Sequence, residues 1–418
     1  MLKKIAVDQL TLGMHIHEFC GSYMSHPFWR EKFVLDDPKD LRSIKACGVK
    51  EVWIDNQKGV DVQGKNPEDV AQTVEAKLQE VGSTGLDLPR PPLASMSHAS
   101  TSQPRTSHAD EIKRAAKICS KAKEAVVSMF KEARMGKAVD HAAAGALVEE
   151  ISGSVMRNPG ALISLARLRS VDDYTYMHSV AVCALMVSLS RVLDLDEKQT
   201  RDAGMAGLLH DLGKALMPMA VLNKPGKLTE QEFNIIKGHP TEGHRMLVSG
   251  GGANEVTLDV CLHHHEKVDG SGYPKGLKDN AISLFAKMGA VCDVYDAITS
   301  NRPYKSGWDP AESIRKMTEW SKGHYDPRVF HAFVRSIGIY PTGSLVRLAS
   351  DNLAVVIEQT PNSLVTPVVK VFYSVKSRSY QPPHLLDLAN PRGDDKIVGR
   401  EDAAKWGIKD LDRFWAHP

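Results

Sequence analysis

The sequence lacks the features that mark secreted, membrane-spanning and disulfide-bonded proteins. Its first stretch, MLKKIAVDQLTLGMHIHEF, alternates polar and apolar residues and therefore has no uninterrupted apolar core of the signal-peptide kind. No apolar run reaches the roughly 18 residues that could cross a bilayer. The six cysteines are scattered without a CxxC pair, which favours reduced, mostly buried thiols over disulfides or a zinc-thiolate site. These absences predict a cytoplasmic protein without a membrane span.

The sequence also has no large excess of positive or negative charge. The chain has 53 Lys and Arg against 51 Asp and Glu, a formal net charge of +2. This balance argues neither for nor against an anionic partner, because a local basic pocket can exist within a neutral total. No polynucleotide partner is expected. Hydrophobic residues at 42% and charged residues at 25% are average for a folded protein, which argues against wholesale disorder.

Changes in composition divide the 418 residues into four regions, and no internal repeat is visible. Residues 1–80 combine strand-like segments with a helical pattern at PEDVAQTVEAKLQEV, which predicts a small α+β module. Residues 81–109 are rich in Ser, Thr, Pro and Gly and predict a flexible linker. Residues 110–340 carry successive helical patterns, whereas residues 341–418 contain β-branched runs such as LAVVIEQ and PVVKVFYS. The predicted fold class is therefore mainly α, with a short β-rich region at the C-terminal end.

The first sign of chemistry is the adjacent pair His210 and Asp211 in GLLHDLGKAL. The apolar residues before it predict that the pair lies inside a buried helix. A buried imidazole and carboxylate are costly unless both are hydrogen-bonded or bind a ligand. By itself, the pair is equally compatible with a satisfied core contact and with a functional site.

Further histidines and carboxylates occur in the neighbouring helical patterns: His178, His239, His264, His265 and Asp293. Helical bundles build dinuclear metal sites from imidazoles and carboxylates on several helices, with one carboxylate shared by both ions. Asp293 and Asp296 share a helix face at i and i+3, so one can bind metal while the other meets substrate or a ligand histidine. The set as a whole predicts a metal site.

Six segments resemble, in order and spacing, the HD-GYP family of the HD superfamily of metal-dependent phosphohydrolases. They are HDLGKALMP, LNKPGKLTEQEF, KGHPTEGH, HHEKVDGSGYPKGL, DVYDAITSNRPYK and HYDPRVF, and the match covers about residues 170–335. The N-terminal module is similar to a domain of unknown function that often precedes HD-GYP domains. The resemblance implies an enzyme that hydrolyses cyclic di-GMP to the linear dinucleotide pGpG, and often on to GMP, in bacterial signalling.

The resemblance also implies roles for individual residues. Asp211 is the expected bridging ligand, Lys214 the contact to the scissile phosphate, and Asp296 a catalytic or substrate-contacting residue, while Arg302 and Lys305 match positions near the substrate's phosphates and bases. Two divalent ions, iron or manganese, are the expected cofactors. Tyr174 stands where some members carry a glutamate that supports a third metal, so a dinuclear site is predicted. The full expected ligand set is His178, His210, Asp211, His239, His264, His265 and Asp293.

The segment HHHEKVDGSGYP holds residues whose roles stay open. His263 is the extra histidine of the triple, and Glu266 either orients a histidine or caps a helix. No Walker lysine follows Gly272, Tyr273 and Pro274 and no strand precedes them, so a phosphate loop is not supported. In the family, this GYP loop has been linked to contact with diguanylate cyclases (GGDEF proteins).

The alternative to an active enzyme is a sensor or adaptor that binds cyclic di-GMP without turnover. Another nucleotidase of the superfamily is disfavoured by the complete GYP segment.

Overall fold

The computed structural model describes residues 2–20, 33–35, 41–42, 44–45, 51–55, 58, 108–168, 174–224, 226–301, 307–360, 363–390, 393 and 395–416. The chain forms two compact units, Met1–Glu80 and Val81–Pro418. The helix predicted at PEDVAQTVEAKLQEV lies outside the described residues, as does the predicted linker up to residue 107. In the second unit, the first described helix begins at His108, two residues before the predicted start of the helical domain.

The first unit contains a four-stranded antiparallel sheet. Its strands are β1 (Leu2–Ala6), β2 (His15–Cys20), β3 (Phe33–Val34) and β4 (Glu51–Asp55), in the order β1-β4-β2-β3. Residues alternate across a sheet, so Val52 and Ile54 point to the same face, where both are fully buried. They pack there with Leu10, Met14 and Ile16, which gives the module a core of its own.

The second unit is mainly helical, as predicted. Its described helices are α1 (His108–Arg134), α2 (His141–Arg157), α3 (Pro159–Arg167), α4 (Tyr174–Val192), α5 (Glu197–Leu209), α6 (Met219–Leu222), α7 (Glu230–Ile236), α8 (His239–Gly250), α9 (Glu255–His263), α10 (Leu284–Thr299), α11 (Pro310–His324) and α12 (Pro327–Ile337). A 3₁₀ helix over Leu212–Leu216 follows α5 directly. Side-chain caps fix several helix starts; Asp196 and Gln199, for example, form a reciprocal capping box at the start of α5.

Helix α4 is the centre of this domain. It packs against α1, α2, α3, α5, α10 and α12, so its side chains are buried on every face from Met177 to Ser190. The segment Thr175–Val192 has the length and mean hydropathy (1.2) of a membrane span, but 78% of it is buried inside the fold. Packing in the core therefore accounts for its apolar character.

The C-terminal region forms a five-stranded antiparallel sheet. Its strands are β5 (Leu345–Leu348), β6 (Asn352–Thr360), β7 (Ser363–Ser374), β8 (Ser379–Asp387) and β9 (Ile397–Arg400), in the order β8-β7-β6-β5-β9. Phe372, Phe414 and Trp415 anchor its core, and Leu165 and Leu168 from α3 and its C-terminal end pack against it. The predicted β-rich region is therefore a sheet that covers one side of the helical domain.

The cysteines with described side chains are free thiols. Cys183, Cys261 and Cys292 are buried, and Cys119 is half-buried. The prediction of reduced, mostly buried thiols is confirmed for these four.

Candidate metal centre

Five helices and the turns at their ends bring all the predicted ligand side chains together in the helical domain. His178 comes from α4 and Asp293 from α10, whereas the others come from helix ends. His210 and Asp211 directly follow α5, His239 is the first residue of α8, and His264 and His265 directly follow α9. All are buried except His265, whose side chain is about one-fifth exposed.

The His210-Asp211 pair lies at the end of a helix, and the prediction that it lies inside one is wrong. Helix α5 ends at Leu209, and Asp211 has φ −98° and ψ 8°, outside the helical region. The chain turns there because the 3₁₀ helix packs against α8. A Cβ atom at Gly213 would lie 1.9 Å from the carbonyl oxygen of His239, so only glycine permits this contact.

Asp211 lies between two groups of histidines. Its Oδ2 atom is 3.3 Å from Nε2 of His178 and 3.4 Å from Nε2 of His210. Its Oδ1 atom is 3.1 Å from Nε2 of His239 and 3.8 Å from Nε2 of His264. Each carboxylate oxygen therefore faces a different group, which is the arrangement of a carboxylate that bridges two cations.

Asp293 faces both groups as well. Its Oδ1 atom lies 3.0 Å from Nε2 of His178 and 3.9 Å from Nε2 of His210, and its Oδ2 atom lies 3.6 Å from Nδ1 of His265. The potential ligand atoms form two sets, and within each set all atoms lie within 4.8 Å of one another. One set comes from His178, His210 and Asp211, and the other from His239, His264 and His265. The site thus offers two neighbouring positions for metal ions.

Backbone carbonyls fix the imidazole tautomers. Nδ1 of His210 is 2.8 Å from the oxygen of Gly207, and Nδ1 of His239 is 2.7 Å from the oxygen of Ile236. Nδ1 of His264 similarly lies 3.0 Å from the oxygen of Val260. A carbonyl oxygen can only accept, so each Nδ1 must carry the hydrogen and each Nε2 must present a lone pair to the centre.

These lone pairs make the centre suited to cations. Nε2 of His239 and Nε2 of His264 face each other at 3.3 Å, and without a cation their lone pairs would repel. Nε2 of His210 and Oδ1 of Asp211 are buried and have no hydrogen-bond partner among the described residues. A mixed set of imidazole and carboxylate donors suits iron, manganese and other divalent ions. The residues present therefore fit a metal centre.

The protonation states also favour metal binding. Burial opposes ionisation of Asp211, but Lys214 and His210 hold the pKa of this carboxyl well below its usual range. Burial and the neighbouring His265 lower the pKa of His264, and burial lowers the pKa of His265 to about 3. At neutral pH the carboxylate is ionised and these imidazoles are neutral, as metal ligands must be.

The structure places the other predicted residues as follows. Nζ of Lys214 lies 2.5 Å from Oδ2 of Asp211, and Oδ2 of Asp296 lies 2.6 Å from Nδ1 of His178. Of the two contacts foreseen for Asp296, the one to a ligand histidine is therefore present. Arg302, Lys305 and the side chain of Tyr174 lie outside the described residues, so their predicted roles stay predictions.

The structure gives partners to two residues whose roles the sequence left open, and it leaves His263 outside the ligand groups as expected for the extra histidine. Nδ1 of His263 lies 2.8 Å from Asp259, one helical turn earlier, and His263 belongs to neither ligand group. Glu266 neither orients a histidine directly nor caps a helix, because its carboxylate accepts backbone N–H groups from Lys275 and Leu277. The i, i+4 spacing could have identified Asp259, whereas no sequence pattern indicated the backbone partners of Glu266.

Comparison with known proteins agrees with this geometry. The profile of the HD domain family matches residues 156–329, and that of a domain of unknown function (DUF3391) matches residues 2–144. The cyclic di-GMP phosphodiesterase PA4108 of Pseudomonas aeruginosa is 52% identical over 416 residues, which cover 99% of this chain and 96% of that protein.

Two further relatives match over shorter stretches. The cyclic di-GMP phosphodiesterase response regulator RpfG of Xanthomonas campestris is 44% identical over 34% of this chain and 38% of its own length. The 3'3'-cGAMP-specific phosphodiesterase 1 of Vibrio cholerae is 37% identical over 40% of this chain and 38% of its own length. The near full-length match, together with the HD-domain match over the metal centre, shows that the chain belongs to the HD-GYP family of HD-domain cyclic di-GMP phosphodiesterases.

Proposed function

We propose that the protein hydrolyses cyclic di-GMP to pGpG at the metal centre and that it acts on pGpG to release GMP. The observation that carries this proposal is the position of Asp211, whose two oxygens face separate histidine groups. The full-length similarity to a cyclic di-GMP phosphodiesterase supports the choice of substrate. A pure sensor has no need of a complete ligand set with matched protonation states.

Two divalent ions, iron or manganese, supply an activated water at neutral pH and positive charge on the phosphoryl oxygens when they are bound. His178, His210 and Asp211 would hold one ion, and His239, His264 and His265 the other, with Asp211 and Asp293 facing both. Because Tyr174 replaces the glutamate that supports a third metal in some relatives, we expect two ions per chain. Metal analysis of purified protein tests this number, and three ions per chain would contradict it.

The side chains around the centre have separate tasks. Lys214 is only about one-fifth exposed and already lies against Asp211, so its ammonium group can stabilise negative charge on a phosphate held there. Arg302 and Lys305 would bind the second phosphate and the bases of the dinucleotide. The leaving ribose oxygen needs a proton, for which Asp296 and a water molecule of the centre are the candidates.

The decisive experiment is an anaerobic assay of the protein loaded with iron or manganese, in which the products are followed over time. We expect cyclic di-GMP to disappear, pGpG to form first and GMP to follow. Asp211→Ala should abolish hydrolysis, while Asp402→Ala, a change of an exposed aspartate in the C-terminal region, should leave it intact. Assaying 3'3'-cGAMP in parallel defines the substrate preference, because one relative is named for that nucleotide. Tight binding of cyclic di-GMP without turnover would instead favour the sensor or adaptor.

The proposed setting is the bacterial cytoplasm, where diguanylate cyclases (GGDEF proteins) are candidate partners of the GYP loop. Pro274 and Lys275 are exposed, and these residues would make the contact. Pull-down of a diguanylate cyclase with wild-type protein and with Lys275→Glu tests this contact. Equal recovery of the cyclase by both proteins would argue against it.

A further inference from the structure

Glu266 directly follows His265 in the chain and is buried, with 2% of its surface exposed. Its Oε1 atom accepts a hydrogen bond from the backbone N–H of Lys275 at 2.7 Å, and its Oε2 atom accepts one from Leu277 at 2.9 Å. A buried carboxylate is stable only when it is hydrogen-bonded, and bonds to an ionised acceptor are the strong ones. Glu266 therefore fixes the far end of the GYP loop to the segment that carries His264 and His265.

Between these anchors, the loop returns to His265. The ring of Tyr273 stacks on the imidazole of His265, with 4.7 Å between ring centroids and 28° between ring planes. The backbone N–H of Tyr273 also donates to the carbonyl oxygen of His265 at 3.2 Å. A Cβ atom at Gly272 would lie 2.4 Å from the backbone nitrogen of Lys267, so the loop packs too closely there for any other residue.

His265 depends on this stacking more than the other ligand histidines do. His210, His239 and His264 each donate Nδ1–H to a backbone carbonyl, and His178 is held by Asp296. Among the described hydrogen bonds, His265 has no contact of this kind; its Nδ1 atom faces Asp293 at 3.6 Å. His265 is also the most exposed member of the set, with about one-fifth of its side chain exposed. The rings of His239 and His264 also pack against His265, so the stacking of Tyr273 is the ring contact that it receives from outside the ligand set.

We infer that Glu266 is a positioning residue of the metal centre: it fixes the GYP loop so that Tyr273 holds His265 in the orientation for metal binding. Outer partners that orient metal ligands commonly contribute about 10- to 100-fold to metal affinity. The inference rests on the proposed function in so far as His265 is taken to bind metal. In this role, the side of the GYP loop that carries the ring of Tyr273 serves the metal centre. Pro274 and Lys275 are exposed and remain available for the partner contact proposed above.

The test is manganese binding by the full-length protein without substrate, measured by titration against a competing chelator. Glu266→Ala and Tyr273→Leu should each weaken one of the two binding events about tenfold or more and leave the other near its wild-type affinity. Tyr273→Phe keeps the aromatic ring and should bind like the wild type. Asp269→Ala is the matched control, because Asp269 is an exposed carboxylate of the same loop. Among the described backbone N–H groups, its side chain accepts a hydrogen bond only from that of Ser271, two residues away.

The outcomes separate this inference from the proposed function. If wild-type protein and both Glu266→Ala and Tyr273→Leu bind two ions with equal affinity, the positioning role is wrong and the proposed function stands. If the wild type binds no metal, the proposed function fails first. Should Glu266→Ala not fold, as judged by circular dichroism, the comparison of Tyr273→Leu with Tyr273→Phe decides, because both retain the Glu266 anchor. Equal metal affinity of these two variants would then overturn the inference.

Discussion

Asp296 lies behind His178, with its Oδ2 atom 2.6 Å from Nδ1 of the imidazole. On the other side of the same ring, Nε2 faces Asp293 at 3.0 Å. The second oxygen of Asp296 accepts a hydrogen bond from the Ser300 hydroxyl at 3.2 Å, which fixes the carboxylate itself. A carboxylate in this position orients a ligand histidine and increases its basicity. Asp296 therefore has a contact through which it can act on the metal centre without touching substrate.

Substitution of Asp296 distinguishes this positioning role from the predicted role in proton transfer. We expect Asp296→Ala to weaken metal binding about 10- to 100-fold. Asp296→Asn should weaken it less, because the amide oxygen can still accept the Nδ1–H of His178. If Asp296 instead supplies the proton to the leaving group, Asp296→Asn will retain both metals and lose hydrolysis. Metal content and turnover measured on the same preparations separate the two roles, with the exposed Asp402→Asn as control.

Metal loading should stabilise the fold. The buried Nε2 of His210 and Oδ1 of Asp211 have no hydrogen-bond partner among the described residues, and they face different ligand groups, so ions bound in the two groups would satisfy both. A ligand at 100 times its dissociation constant stabilises by about 2.7 kcal/mol, or roughly 5 to 10 °C in melting temperature for one site. Differential scanning fluorimetry of metal-free protein with added manganese should show this rise, and a chelator should reverse it. A melting temperature that manganese leaves unchanged, or raises equally in Asp211→Ala, would contradict the prediction.

The fold class followed from sequence periodicity, but some elements did not. Strands β5, β6 and β7 coincide with the β-branched runs, whereas β8 contains Pro382 and Pro383 and gave no strand pattern. Proline is tolerated in a sheet mainly at its edge, and β8 is an edge strand. The end of α5 at Leu209 was missed for a different reason. The apolar pattern continues through Leu212, and the turn is imposed by the contact of Gly213 with α8, which lies far along the chain.

The candidate site was predictable to a similar degree. Helical patterns indicated that histidines and carboxylates meet in the core, and family resemblance selected which of them are expected to bind metal. The outer partners could be foreseen only where the spacing was local, as for Asp296 on the same helix as Asp293. Glu266 bonds to backbone groups nine and eleven residues away, and their position depends on the path of the loop. Because every residue except proline has a backbone N–H group, the sequence does not indicate which of these groups a buried glutamate will bind.

Stability should depend on pH through His324, which lies at the end of α11 outside the metal centre. Burial, reinforced by Lys267, lowers the pKa of His324 from 6.5 to about 4. Below pH 6.5 the unfolded chain takes up a proton that the folded protein does not, so the folded state loses stability as the pH falls towards 4. Melting temperatures between pH 7 and pH 4 should therefore fall less steeply for His324→Gln than for the wild type. His384→Gln, on the exposed edge strand, should follow the wild type, and equal slopes for all three proteins would refute the assignment.

The close approach of Gly213 to α8 should couple packing to metal binding. In Gly213→Ala, the new methyl group would meet the carbonyl oxygen of His239 at 1.9 Å and the backbone nitrogen of Gly243 at 2.5 Å. Overpacking of this kind costs about 1–3 kcal/mol. Because α8 must move away, Nε2 of His239 should leave its position 3.1 Å from Asp211, and metal affinity should fall with stability.

The matched control for this change is Gly399→Ala on β9, where an added Cβ atom meets open space. Urea unfolding gives the change in stability, and manganese titration gives the change in affinity. We expect Gly213→Ala to be impaired in both and Gly399→Ala in neither. If Gly213→Ala loses stability but binds two ions with wild-type affinity, the contact matters only for packing, and His239 is positioned by the rest of α8.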